Sequence, residues 1–234
     1  MMVVSMVPVY ANTDTDMSKA YYVAMDGNDT NDGLSREHAK RHIQAAINVM
    51  DNVDTVYVDR GTYHENIVIL KSIQLIGVNK NDVILDGDQK DRCIFKKDCN
   101  VLIRGFTITN GKSNIGGGIL NDKENLKIQD SHVEGNTATE KGGGIHNTGN
   151  LIVDNSKFIG NTATDVGVGG GFGGGISNYG ILTLHTSQII SNTATEKGGG
   201  IQNAEGRGLW DSFTKQNTVS NKPDNVGGKP MEDI

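Results

Sequence analysis

The ten residues NTATEKGGGI occur at 136–145 and again, letter for letter, at 192–201. An enzyme pocket needs a given constellation once, whereas a repeating architecture needs it in every unit. Glycine weakens helices and strand interiors, so a run of three answers a demand for unusual backbone angles or close backbone approach. The same grammar extends beyond the decamer. The isoleucines of GGGI are Ile119, Ile145, Ile176 and Ile201, at steps of 26, 31 and 25 residues. Each GGGI-x-N is followed by a turn and an alternating apolar pair (Leu126/Ile128, Leu151/Val153, Leu182/Leu184). Next comes Ser-x-apolar (Ser131/Val133, Ser156/Phe158, Ser187/Ile189), and then Asn136, Asn161 or Asn192 opens NTAT. This pattern predicts three short strands and three turns in about 25 residues. The long step holds an extra glycine-rich piece, VGVGGGF at 166–172, which reads as a loop inserted into one unit.

A unit this small cannot fold alone. Burying Ile145, Leu151, Val153 and Phe158 does not offset the entropy of ordering some twenty-five backbones, so the units must bury one another. The stacked solution is an all-β parallel β-helix, here of about six coils of roughly 25 residues. In such a stack equivalent residues lie ~4.8 Å apart, so Ile119, Ile145, Ile176 and Ile201 pile up inside. Asn121, Asn147, Asn178 and Asn203 fill the x-N slot of every unit, where their amides form a hydrogen-bonded ladder. These are structural assignments, since a catalytic asparagine needs surroundings that differ from its copies.

Upstream of the explicit repeat, short apolar segments (Val56–Val58, Ile67–Ile69, Ile73–Ile76, Val83–Leu85) alternate with Gly, Asn and Asp turns and read as further strands. SREHAKRHIQAAINVM places Ala39, Ile43, Ala46 and Ile47 at helical spacing, which predicts a helix over about 36–50 with Ser35 as N-cap. It precedes the first coil and is expected to cap that end. Trp210 and Phe213 are candidates to cover the last coil, yet the polar tail ends without an evident cap. The reading therefore expects that end to continue into, or pack against, another module. Residues 1–11, MMVVSMVPVYA, resemble the remnant of a secretory signal peptide cleaved after Ala11, although no Lys or Arg precedes the apolar run. The resulting division is a leader at 1–11, an N-terminal segment with the helix at 12–54, the coil at 55–226 and a tail at 227–234.

GNDTNDGLS, IQAAINVM, DTVYVDRGTYHENIVILKSIQLIG and VILDG, in that order, resemble the N-terminal part of secreted pectin-lyase-like β-helix proteins. GGGIHNTGNLIVDNSKFIGNTAT is similar to the repeats of polymorphic outer-membrane proteins and archaeal adhesin-like surface proteins, and NTVSNKPDNV resembles the close of such arrays. The matches cover roughly residues 21–226. The resemblance implies a right-handed coil and a secreted or cell-surface role. It does not choose an activity, because this fold hosts lyases, hydrolases, epimerases and inert stalks.

The motifs that such enzymes need are thin here. Of the polygalacturonase-like strings only NTD occurs, at Asn12–Asp14 beside the leader, and no DPHD is present. A lyase needs a basic residue beside a substrate carboxylate, commonly with Ca²⁺. Asp86 and Asp88, with Arg92 and Arg104 nearby in sequence, are the candidates for that chemistry and for Ca²⁺. His64–Glu65 lacks the second histidine of a zinc helix, so no metal site is assigned. Cys93 and Cys99 leave two alternatives, a local disulfide or two buried thiols. Asn28 opens the sequon NDT, a glycosylation candidate. The net charge of −6 offers no basic footprint, which argues against nucleic acid, and no stretch approaches a membrane span. The leading expectation is a non-catalytic, adhesin-like or structural module without a cofactor, binding a glycan, host or cell-envelope surface beside 166–172. The alternative is a polysaccharide-active enzyme.

Overall fold

The computed structural model describes residues 18–167, 169–216 and 218–234, so the leader at 1–11 and Asn12–Asp14 lie outside it. The described chain is a parallel β-solenoid of about seven turns, slightly more than the repeat spacing suggests. Nine strands, from Ala20–Val23 through Asn150–Asp154 to Glu232–Asp233, form the longest sheet. A seven-stranded sheet carries the GGGI segments (Ile119–Asp122, Ile145–Asn147, Ile176–Asn178, Ile201–Asn203) and is called the isoleucine sheet below. A second seven-stranded sheet carries the Ser-x-apolar segments, such as His132–Glu134 and Lys157–Ile159.

The fourth sheet corrects the three-strand reading of the unit. Lys112–Ile115, Thr137–Lys141, Thr162–Ala163 and Thr193–Ala194 pair in parallel, so NTAT is a strand and not a turn. Its inward residues are Ala138, Ala163 and Ala194, too small to show the apolar alternation by which strands are read.

Register is one-to-one in the isoleucine and long sheets, whereas the Thr-Ala sheet shifts between Ser113 and Ile115. Ile119, Ile145, Ile176 and Ile201 are successive partners and fully buried, as are Leu126, Leu151 and Leu182 in the long sheet. The glycines form the corner between the Thr-Ala and isoleucine sheets. Gly142 sits at φ 67, and a Cβ on Gly143 would lie 2.4 Å from the Thr162 carbonyl oxygen. The ladder runs unbroken through this corner, with Gly143 N–H donating to Gly173 O at 3.1 Å and Gly144 N–H to Gly174 O at 3.0 Å.

The excursion in the long unit is shorter than 166–172. Phe172 bridges Lys141 on one side and Lys197 on the other, so it belongs to the ladder and the added residues are 166–171. The coil also exceeds 55–226 at both ends, because Ala20–Val23 pairs with Thr55–Val58 and Glu232–Asp233 with the strand ending at Trp210. Trp210 is itself a ladder residue whose indole N–H donates to Asp233 at 3.2 Å, while Phe213 is 43% exposed.

The helix is Ile43–Val49, shorter than the periodicity predicts. Lys40 instead bridges Val23, and Ser35 Oγ accepts from His38 N–H in a turn rather than capping the helix. The first-turn N–H groups of Ile43 and Gln44 donate to the Glu65 carboxylate at 2.8 and 2.9 Å, a cap supplied from the next coil. Buried Ile43, Ala46 and Ile47 face the strands Ala20–Val23, Thr55–Val58 and Ile67–Ile69.

Candidate functional site

Most repeated polar letters are used inside the coil. Asn121 Nδ2 donates to Asn147 Oδ1 at 2.6 Å, Asn147 to Asn178 at 2.7 Å, and Asn178 to Asn203 at 2.8 Å, all four residues being fully buried. A second ladder joins Asn136, Asn161, Asn192 and Asn221, with Nδ2 to Oδ1 distances of 3.1, 2.9 and 3.0 Å. A third row passes from Ser131 to Ser156 to Ser187, each backbone N–H donating to the next hydroxyl. Lys96 takes the slot before Asn121, fully buried, and its ammonium donates to the Lys123 carbonyl. Burial pulls the Lys96 pKa down.

The two cysteines are separate thiols, which excludes the disulfide alternative in this structure. They flank the strand Ile94–Lys97, and four extended residues at ~3.3 Å each hold them too far apart for a disulfide. The Cys93 thiol donates to Thr109 O at 3.1 Å and burial pushes its pKa up to about 12, while that of Cys99 donates to Ile69 O at 3.5 Å. Asn28 is exposed, its side-chain oxygen accepting from Thr30 N–H and the Thr30 hydroxyl.

Asp86 and Asp88 come together, but not with Arg104. Arg104 ends Val101–Arg104 in the long sheet and lines a surface depression of about 300 Å³ with Lys80 and Asp130. Arg92 donates to Ser113 Oγ at 2.8 Å and lies over the Phe95 ring. The residue that joins the two aspartates is His64, whose Nδ1 is 2.7 Å from Asp88 Oδ1. Asp86 receives Asp88 N–H at 2.8 Å on Oδ1 and Asn110 Nδ2 at 2.9 Å on Oδ2. Lys90 donates to Asp88 Oδ2 at 2.9 Å, and these bonds from Lys90 and His64 hold the Asp88 carboxyl below its usual range. Sequence reasoning passed over His64 because it sought a second histidine. Its partners become visible only when GTYH and VILD are aligned as successive strands, which pairs His64 with Asp86.

The outer face of the isoleucine sheet shows a different pattern. Its outward slot reads Phe95, Leu120, His146, Ser177, Gln202 along the coil. His146 is 7% exposed and Ser177 0%, although both face away from the core. His146 Nδ1, Ser177 Oγ and Gln202 Oε1 are buried without a hydrogen-bond partner. The Tyr179 ring lies 5.3 Å from that of His146, and the Lys141 ammonium lies 4.9 Å from the Tyr179 ring centre. Burial first, then Lys141 and Arg92, push the His146 pKa down to about 4.

Fold and rows together define a parallel β-solenoid built on a GGGI-x-N unit, repetitive inside and varied outside. Residues 130–148 of that unit match the Chlamydia polymorphic membrane protein repeat. The match spans the serine row, the Asn136 rung, the Thr-Ala strand, the glycine corner and Asn147. A comparison with curated proteins finds no match. No helix among the described residues is long and apolar enough to cross a membrane.

Proposed function

We propose that the chain is a non-catalytic, adhesin-like module, secreted or displayed on a cell surface, that binds a glycan or protein surface through its lateral face. The observation that carries this reading is the contrast between two slots of the isoleucine sheet. The inward slot is Ile at six successive rungs from Ile67 to Ile201, whereas the outward slot beside it changes at every rung from Phe95 to Gln202. A core position is held by packing, while a row that varies above it is where recognition can be written, here at its half-buried rungs Phe95, Leu120 and Gln202, since His146 and Ser177 are buried. The 166–171 insertion falls in the sequence just before Phe172 and the glycine corner that leads into that row. The repeat match supports surface display, since the matched family is one of membrane proteins. Right-handed winding, closure of the N-terminal end by the helix and glycosylation at Asn28 belong to the same reading.

In the enzyme alternative the basic residue beside Asp86 and Asp88 is not Arg104, which stands on another sheet, but Lys90, whose ammonium lies 2.9 Å from Asp88. The test is binding of the purified chain to glycan arrays and to cell-surface proteins, beside a variant lacking 166–171. That deletion rejoins Asp165 to Phe172 as Glu140 joins Lys141, so the coil is expected to stay folded. Binding lost in the folded deletion variant supports the lateral site; equal binding rejects it. Cleavage of uronate-containing polysaccharides, with Ca²⁺ or chelator, would replace the whole reading with the enzymatic one.

A further inference from the structure

We propose that His64, Asp86 and Asp88 form a site for a divalent transition-metal cation of the zinc class, independent of the lateral face. His64 closes the strand Gly61–His64 and Asp86 closes Val83–Asp86, and parallel register sets them side by side on consecutive coils. The preceding residues Tyr63 and Leu85 are buried, so alternation turns His64 and Asp86 outward together. Asp88, at φ 52, folds back over the pair. One ligand atom from each of the three lies within 4.8 Å of the other two. Donors bound to one zinc ion at ~2.0–2.2 Å sit about 3–3.5 Å apart, so small rotations of surface side chains close the set.

The surroundings are those of a supported ligand set. Asn110 and the Asp88 N–H fix the Asp86 carboxylate, and Lys90 holds the outer oxygen of Asp88, leaving Oδ1 toward His64. Each carboxylate oxygen retains a second lone pair for an ion. The imidazole decides the class of metal. One nitrogen and two carboxylates, with open positions for water, suit zinc, cobalt or nickel, whereas Ca²⁺ seeks six to eight oxygens. This moves the expectation at Asp86 and Asp88 from Ca²⁺ to a borderline cation. Because the ligands come from two consecutive coils, the ion would tie those coils together.

The experiment is calorimetric titration of the metal-stripped full chain with Zn²⁺, and with Co²⁺ followed by its visible absorption. One equivalent is expected to bind, with His64→Ala and Asp88→Asn each weakening it at least tenfold. The Co²⁺ band should vanish in His64→Ala, and Zn²⁺ should raise the thermal midpoint of the parent only. Both substitutions fall on surface side chains, and circular dichroism confirms that the variants are folded. The proposal is overturned if the folded parent binds no Zn²⁺, or if Ca²⁺ binds as tightly. Undiminished binding in both variants overturns it too, because the ion would then sit elsewhere, as at His42 and Asp29. None of these outcomes touches the lateral-face reading, whose test is adhesion.

Discussion

His146 shows how the same repeat slot acquires a different chemistry. Its ring is covered by Tyr179 and flanked by the Lys141 ammonium, so the proton that would charge it is disfavoured. The unfolded chain takes up that proton near the ordinary 6.5 and the folded chain only near 4. Between those values the unfolded state binds more protons, so stability falls as pH falls, by roughly 3 kcal/mol across the whole window. Urea unfolding of the parent and of His146→Asn at pH 7 and pH 4.5 checks this. The difference in stability between the two proteins should shrink or reverse toward acid, because the variant has no imidazole to charge. A constant difference would mean that the ring is hydrated in the native state. His132, His146 and His185 occupy different slots of the repeat, and nothing in the sequence marks one of them as enclosed. The Asn121 to Asn203 ladder was legible because the letter recurs at a fixed place. Lys96 was not, since CIFKK lacks the glycines that announce the slot.

Among elements, the glycine corner is the part that tolerates least. A methyl group on Gly143 would meet the Thr162 and Gly174 carbonyl oxygens at 2.4 and 2.5 Å, and both belong to backbone locked in the ladder. Gly160, at the corner after Lys157–Ile159, has φ 62 and nothing within 4 Å of its added Cβ. The two glycines therefore separate a steric demand from a conformational one. Gly160→Ala should cost about 1–2 kcal/mol, the penalty of a left-handed residue, and keep the coil intact. Gly143→Ala should cost several kcal/mol, because strands must part to admit it. Thermal or urea unfolding of both variants decides the ordering, and equal losses would remove close approach as the reason for the GGG run. The corner was readable from the sequence as a place where side chains are excluded. The Thr-Ala strand beside it was not, because alanine fills its inward slots and threonine suits turns as well as strands. The helix start was hidden for another reason: its cap, Glu65, arrives from the connection between Gly61–His64 and Ile67–Ile69, more than twenty residues away.

At the scale of the whole molecule, stability resides in contacts between neighbouring coils, so what must be conserved is register and not length. Asn136 and Asn161 are successive rungs, and the residues after each begin TAT, so excising 137–161 joins one coil to the next without altering any slot. The serine row, the inner asparagines and the glycine corner all meet partners of the same kind across the new junction. Such a shortened chain should fold, unfold in a single transition, and show a urea m-value lower by about a tenth, as expected for one coil less of buried surface. Excising 137–148 removes half a coil. It puts Gly149 and Asn150 where Thr137 and Ala138 stood and breaks each row at once, so that chain should be unfolded by circular dichroism and cut rapidly by protease. If the half-coil deletion folded as well as the full one, the rows would be incidental to the architecture. The outward slot is exempt from this constraint: a row that loses His146 sets Leu120 beside Ser177 with the inner rows unchanged, which is how one frame can carry different outward rows without refolding.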